Sequence, residues 1–335
     1  MIDQTEFLDF VYVGAPRCGS TWLAAVLDEH PEVFIPSVKE VHFFNDRLIY
    51  PFDYKYPRGV EYYRIFFNQA PRNAKIGELS PFYYYDPNAA YRIARHFPNV
   101  KIIVFLRDPI NMLVSLYLLL RQRERRQPTF EAELARRPQL VDLGFYHRLL
   151  TPYFDFFPAE NIYVAIYEDF FADERRNLPG LLRFLGVDPS FTPRVSGLRV
   201  NAASTALPRR VGQVRGDLIR LINHPLMRPV KEAAYRLRLK HMDYSGQATG
   251  SGPSSDRPPI DPRTARWLQA QFAPDLARLE RLLGYSLEAW QSAAAARLAT
   301  HRAEVSAYEK PLHSPDYRQP PVPRPFIEAG MSKAN

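Results

Sequence analysis

The stretch Phe10-Val-Tyr-Val-Gly-Ala-Pro-Arg-Cys-Gly-Ser-Thr-Trp22 decides how this chain reads. An apolar run of strand type ends at Gly14, a turn with a second glycine at Gly19 follows, and a helix opens at about Thr21. Strand, glycine-rich turn and helix in that order make an anion cradle. The glycines let backbone approach closely, successive amides point inward, and the positive end of the helix dipole adds attraction. Gly14 and Gly19 have the spacing of a nucleoside-triphosphate loop, but Ser20 stands where that loop carries its lysine. Arg17, Ser20 and Thr21 are offered instead, which suits a phosphate with no γ-phosphoryl group to transfer.

Outward from this unit, strand and helix signals alternate. The helix from Thr21 to Glu29 puts Leu23, Val26 and Leu27 on one face and stops before Pro31. Lys75 to Leu79 is a second strand. Asp86 and Pro87 read as the cap and first turn of a helix to about Phe97, and Lys101-Ile-Ile-Val-Phe-Leu106 is the strongest strand of the chain. Asp108 and Pro109 start a further helix in the same way, and a helical, aromatic-rich stretch from about Leu143 to Phe157 precedes a strand from Asn161 to Tyr167. This alternation predicts an α/β fold with a P-loop-like, mostly parallel central sheet flanked by helices on both faces. Beyond Asn201 the pattern turns helical and basic. A single domain is expected over 1–297, with an α/β core over 8–200, a mainly helical part over 201–297, a mobile loop over 245–257 and a closing helix from Thr264 to Leu283 that ends at Gly284. A Pro-rich tail over 298–335 is expected as an extended arm, with homo-oligomer contacts as one use for it.

The 335 residues are enough for a full α/β core. With 44 Lys plus Arg against 36 Asp plus Glu, the net charge of +8 favours an anionic ligand. No dense basic run interleaved with aromatics points to nucleic acid. The single cysteine, Cys18, excludes an intrachain disulfide and a Cys-based zinc cluster, and no metal site is read elsewhere. Its place in the loop gives it a second reading as a nucleophile. No apolar stretch is long enough for a membrane span, and the amino terminus lacks the pattern of a secretion signal, so a cytoplasmic location is expected.

Arg107 lies at the carboxyl end of the strongest strand, where ligands of open α/β sheets bind, and Ser115 lies two turns into the next helix. A guanidinium and a hydroxyl so placed can grip a second phosphate. The bland alternative is an ion pair of Arg107 with Asp108 or Glu124, with Ser115 facing solvent.

The two anion sites together resemble the sulfotransferases that use 3′-phosphoadenosine 5′-phosphosulfate as donor. Ala15-Pro-Arg-Cys-Gly-Ser-Thr-Trp22 is similar to their 5′-phosphosulfate loop, and Arg107-Asp-Pro with Ser115 to their 3′-phosphate site. Gly77-Glu-Leu-Ser-Pro81, Tyr167-Glu-Asp169, Phe184-Leu-Gly186 and the stretch Leu283 to Trp290 resemble further pieces of bacterial and carbohydrate sulfotransferases. Lys39-Glu-Val-His-Phe-Phe-Asn45 resembles the segment that carries the catalytic glutamate of heparan sulfate glucosaminyl enzymes. The resemblance implies that Glu40 is the general base, that His42 assists or orients the acceptor, and that Arg17 with the loop amides stabilises charge. It implies donor contacts for Arg17, Cys18, Gly19, Ser20, Thr21, Trp22, Arg107, Ser115 and Arg257, and a carbohydrate, lipid or small-metabolite acceptor. Arg17, Leu79 and Met112 depart from it, standing where a lysine, a lysine and an arginine are frequent.

Residue types alone leave alternatives open. Glu40 has a second reading as a solvated loop carboxylate, His42 as a satisfied histidine beside Phe43 and Phe44, and Trp22 as an adenine platform or a core residue. The cluster Phe82-Tyr-Tyr-Tyr85 reads as an acceptor cleft or as core, and Arg209 and Arg210 as a further basic pair. The rival functions are a P-loop kinase or NTPase, and a nucleotide-binding protein without catalysis.

Overall fold

A computed structural model of the chain describes residues 7–47, 49, 53–123, 128–195, 260–287 and 290. Arg257, Arg209, Arg210, Glu124, the 245–257 loop and the tail over 298–335 lie outside the described residues. Among the described residues five strands form one parallel sheet: β1 (Phe10–Gly14), β2 (Val33–Phe34), β3 (Lys75–Leu79), β4 (Lys101–Leu106) and β5 (Ile162–Ile166), in the order β2-β3-β1-β4-β5. All five residues of β1 are buried, as are Ile102 to Leu106 of β4. Neighbouring residues of a strand point to opposite faces, so burial of every one means that both faces are covered. Phe10 lies opposite Gly77 across the β1–β3 pair, and its ring fills the space where a Gly77 side chain would stand.

The helices that matter for the site are α1 (Ser20–Glu29), α2 (Ala89–His96), α3 (Pro109–Arg123), α4 (Tyr146–Phe156), α5 (Tyr167–Ala172), α6 (Glu174–Leu185) and α7 (Pro262–Leu283). The cap expected at Asp108 is present, its Oδ1 accepting from the Asn111 amide at 2.7 Å. Gly284 ends α7 in the left-handed conformation at φ 62°, as a glycine stop should. From α7, Asp275 accepts the His147 and Arg148 amides at 2.8 and 3.1 Å, closing the open first turn of α4. That bond ties the closing helix to the sheet domain.

Two expected boundaries move. The helix predicted from Asp86 begins at Ala89, because Asp86 turns its carboxylate to other amides: Oδ2 accepts from Asp46 at 2.5 Å and Arg47 at 2.9 Å, and Oδ1 from Asn88 at 2.8 Å. The last strand stops at Ile166, since Tyr167 already opens α5. The edge strand β2, only two residues long, carries no sequence signal of its own.

Candidate functional site

The carboxyl ends of β1, β3 and β4, with the segment after β2, converge on one corner of the sheet. After β1, Arg17 takes φ 64° and Gly19 φ 93°, which turns the chain so that α1 starts with no side chain capping its amides. Such amides form an anion pole when a ligand covers them. A side chain at Gly19 would meet the Phe171 ring at 2.8 Å, and one at Gly14 the Tyr84 ring at 2.6 Å, so both positions are closed to anything larger. The loop is therefore built from backbone, and only glycine fits its two tight points.

Arg17 reaches across to the second expected anion site, its Nε donating to Ser115 Oγ at 3.1 Å. Arg107 Nη1 donates to the Arg17 carbonyl at 3.4 Å, and its guanidinium lies 4.5 Å from the centre of the Tyr167 ring. Its acidic neighbour among the described residues is Glu168 at 3.9 Å, not the expected Asp108; Glu124 lies outside them. Glu168 is in turn held by the Asp108 amide at 3.2 Å and the Trp290 indole at 2.9 Å. Burial pushes the Glu168 carboxyl up, against those bonds. The stretches around Tyr167 and Trp290, far apart in sequence, thus meet behind Arg107. Tyr285 adds a bond to Asp169 at 2.5 Å.

Glu40 and His42 follow β2 with φ 62° and 53°. A non-glycine residue held there costs roughly 1–3 kcal/mol, so the fold fixes this segment against its own preference. Lys39 joins it to the anion loop: its Nζ donates to Thr21 Oγ1 at 2.9 Å and lies 3.6 Å from Glu40 Oε1. His42 Nε2 lies 3.6 Å from Glu40 Oε2. Asn45 Nδ2 donates to the Phe82 carbonyl at 3.0 Å, which leaves its Oδ1 to accept from His42 Nδ1 at 3.1 Å. Nδ1 therefore carries a hydrogen, and the Nε2 side of the ring faces the carboxylate. Burial pulls the Glu40 carboxyl upward, but the His42 contact and the Lys39 charge outweigh it and hold the pKa at about 2.

The other sequence candidates separate. Cys18 is fully buried with its thiol donating to the Pro16 carbonyl at 3.4 Å, and burial raises its pKa far above the thiol range, so it has no nucleophilic character. Trp22 is 3% exposed, packed edge-on against Phe170 and Phe171, so its faces are spent on the core. Tyr83, Tyr84 and Tyr85 are core residues too. Ser20 is buried at the start of α1. Sequence reasoning passed over Lys39 and Asn45, whose roles depend on contacts with distant segments, and it quoted Glu78, Ser80 and Glu168 without a role.

At this corner, Trp22 Nε1 and Arg107 Nε are buried donors that make no hydrogen bond among the described residues. Buried N–H groups of this kind call for an acceptor. With the uncapped start of α1, they fit a ligand bearing more than one anionic group.

A family profile described as a sulfotransferase domain matches residues 8–202, more than half of the chain. A crystal structure of a sulfotransferase from Alicyclobacillus acidocaldarius superposes with a TM-score of 0.60 at 25% identity, covering 85% of this chain and 98% of that one. Heparan sulfate glucosamine 3-O-sulfotransferase 3B1 of Homo sapiens is 24% identical over 257 residues, 72% of this chain and 64% of that protein. The membrane-associated sulfotransferase kil1 of Dictyostelium discoideum is 36% identical over 112 residues, 32% of this chain and 22% of that protein. The chain thus spans less than two thirds of the length of these curated relatives. Among the described residues no helix is long and apolar enough to cross a membrane.

Proposed function

The chain belongs to the sulfotransferase domain family, and on that premise we propose that it moves a sulfuryl group from 3′-phosphoadenosine 5′-phosphosulfate to a hydroxyl or amine of an acceptor. When bound, the donor supplies the sulfuryl group, and its bisphosphate leaves. The α1 amides, Ser20 and Thr21 hold its 5′ side, while Arg107 and Ser115 hold the 3′-phosphate. Trp22 takes part through its indole N–H. Arg17, already bridging loop and Ser115, stabilises charge developing between the two.

Glu40 takes the acceptor proton, and His42 Nε2 beside it orients the carboxylate and shares the charge. A carboxylate with pKa about 2 is always ionised but weakly basic. The Lys39 ammonium sets that value in part, and it also touches Thr21. Lys39 shifts toward the anionic donor when the loop fills, which lets the Glu40 pKa rise as transfer begins. The Lys39–Thr21 contact is the observation that carries this reading, because it ties the candidate base to the anion loop. A carbohydrate is the acceptor class favoured by the resemblance to the glucosaminyl enzymes, with lipids and small metabolites as the alternatives to assay.

The test is transfer of labelled sulfate from the donor to a panel of glucosamine-containing oligosaccharides, lipids and amines. Labelled product with no requirement for ATP supports the proposal. Magnesium-dependent ATP turnover with no sulfate transfer overturns it in favour of an NTPase, and donor binding without transfer to any class favours a binding protein.

A further inference from the structure

Glu78 lies on β3, fully buried, and nothing in the proposed chemistry uses it. Three hydroxyls converge on its carboxylate. Tyr63 donates at 2.6 Å, Tyr83 at 2.9 and 3.1 Å to the two oxygens, and Ser80 closes on Oε1. In each of these contacts the hydroxyl points its hydrogen inward at the carboxyl. Their lone pairs are left facing outward, where backbone amides of the strained segment use two of them. His42 N–H donates to Ser80 Oγ at 3.0 Å, and Phe43 N–H to Tyr83 Oη at 2.9 Å. The Glu40 amide donates to the Leu79 carbonyl at 3.2 Å on the same strand end. The buried Glu78 carboxyl thus orients two hydroxyls, and those hydroxyls fix the backbone on either side of the His42 side chain.

We propose that Glu78 is a positioning residue for Glu40 and His42, acting through Ser80 and Tyr83 to hold the segment 40–43 with Glu40 and His42 in their left-handed conformation. The role of Glu40 and His42 as proton acceptor and its partner rests on the function proposed above; the clamp itself rests only on the contacts. A neutral amide at position 78 keeps the volume but brings its own hydrogens, which compete for the same hydroxyls. Burial pushes the Glu78 carboxyl up, and the hydrogen bonds from Ser80, Tyr63 and Tyr83 act against that shift, as bonds to an ionised acceptor do.

The experiment uses the full chain and the variants Glu78→Gln, Ser80→Ala and Tyr83→Phe. Tyr83→Phe keeps the ring in the core, so it stays informative if Glu78→Gln folds poorly. Amide hydrogen exchange is read over residues 40–44 and over β1, and binding of adenosine 3′,5′-bisphosphate is read by calorimetry. Exchange at 42 and 43 rising about 10-fold or more, with β1 protection unchanged, supports the clamp. Bisphosphate affinity should stay within about 2-fold, and kcat for sulfate transfer should fall about 10-fold or more with the donor KM unchanged. Unchanged exchange at 42 and 43 in Tyr83→Phe and Ser80→Ala overturns the proposal, as does a kcat equal to wild type. If the wild-type protein transfers no sulfate, the functional reading fails and the exchange data alone decide the clamp.

Discussion

The candidate anion loop and the segment with the proposed base sit side by side but are made in opposite ways. Residues 14–21 form a site from backbone, in one continuous stretch whose shape is dictated by Gly14, Gly19 and the start of α1. Residues 39–45 form a site from side chains, with the backbone bent to φ 62° at Glu40 and 53° at His42 and held from Ser80, Phe82 and Tyr83. A backbone site tolerates many side-chain changes but few changes of glycine. A side-chain site built on strain depends on its supports. The lesson is that the two halves should fail differently when mutated: one in binding, the other in rate.

Glu40→Gln is the sharpest way to separate them. Transfer should fall roughly 10²–10⁴-fold, the range of a lost general base, while the Kd for adenosine 3′,5′-bisphosphate stays near wild type. A parallel loss of binding would merge the two regions into one. The mirror change is Arg107→Ala, which should weaken the bisphosphate about 10- to 100-fold and leave affinity for adenosine 5′-phosphate nearly unchanged, measured by calorimetry. Equal losses for the two nucleotides would deny Arg107 its phosphate.

How much of this was readable in advance follows the same division. The loop, β1, β4, the Asp108 cap and the Gly284 stop are local, so their signals lie within a few residues of each other. Asp86 misled because a capping carboxylate next to a proline is a sound local sign, yet its oxygens were claimed by amides at 46 and 47, some forty positions away. The Tyr83 hydroxyl has the same history. Its ring reads as an aromatic of cleft or core, and only the fold shows that its oxygen is shared between Glu78 and Phe43. Glu40 was reachable through resemblance alone, since no spacing rule marks a lone glutamate in a loop. Arg107 was placed correctly by its strand end, but its partner Glu168 is set by the packing of β4 against β5.

Protonation offers two finer tests. Burial, with Asp46 nearby, raises the Asp86 pKa to about 7, whereas an unfolded chain releases that proton near 4. The folded state therefore binds more protons across that window, and stability falls as pH rises through it, by up to a few kcal/mol. The urea midpoint should be lower at pH 8 than at pH 5, and Asp86→Asn should flatten the difference. The smallest effect concerns the proposed base itself. With Glu40 ionised down to about pH 2, no acid limb of kcat/KM above pH 4 belongs to it in the wild type. His42→Ala removes a contact that holds the proton off, so a Glu40 limb should move upward by about one pH unit. A limb that stays in place would show that His42 does not act on the carboxylate.

Cys18 lends the molecule an unplanned use. With its thiol wholly covered and bonded to the Pro16 carbonyl, the folded chain should react with thiol reagents only when the phosphate loop springs open. The rate of colour release from a disulfide dye then becomes a clock for that opening, and a bound bisphosphate should stop it.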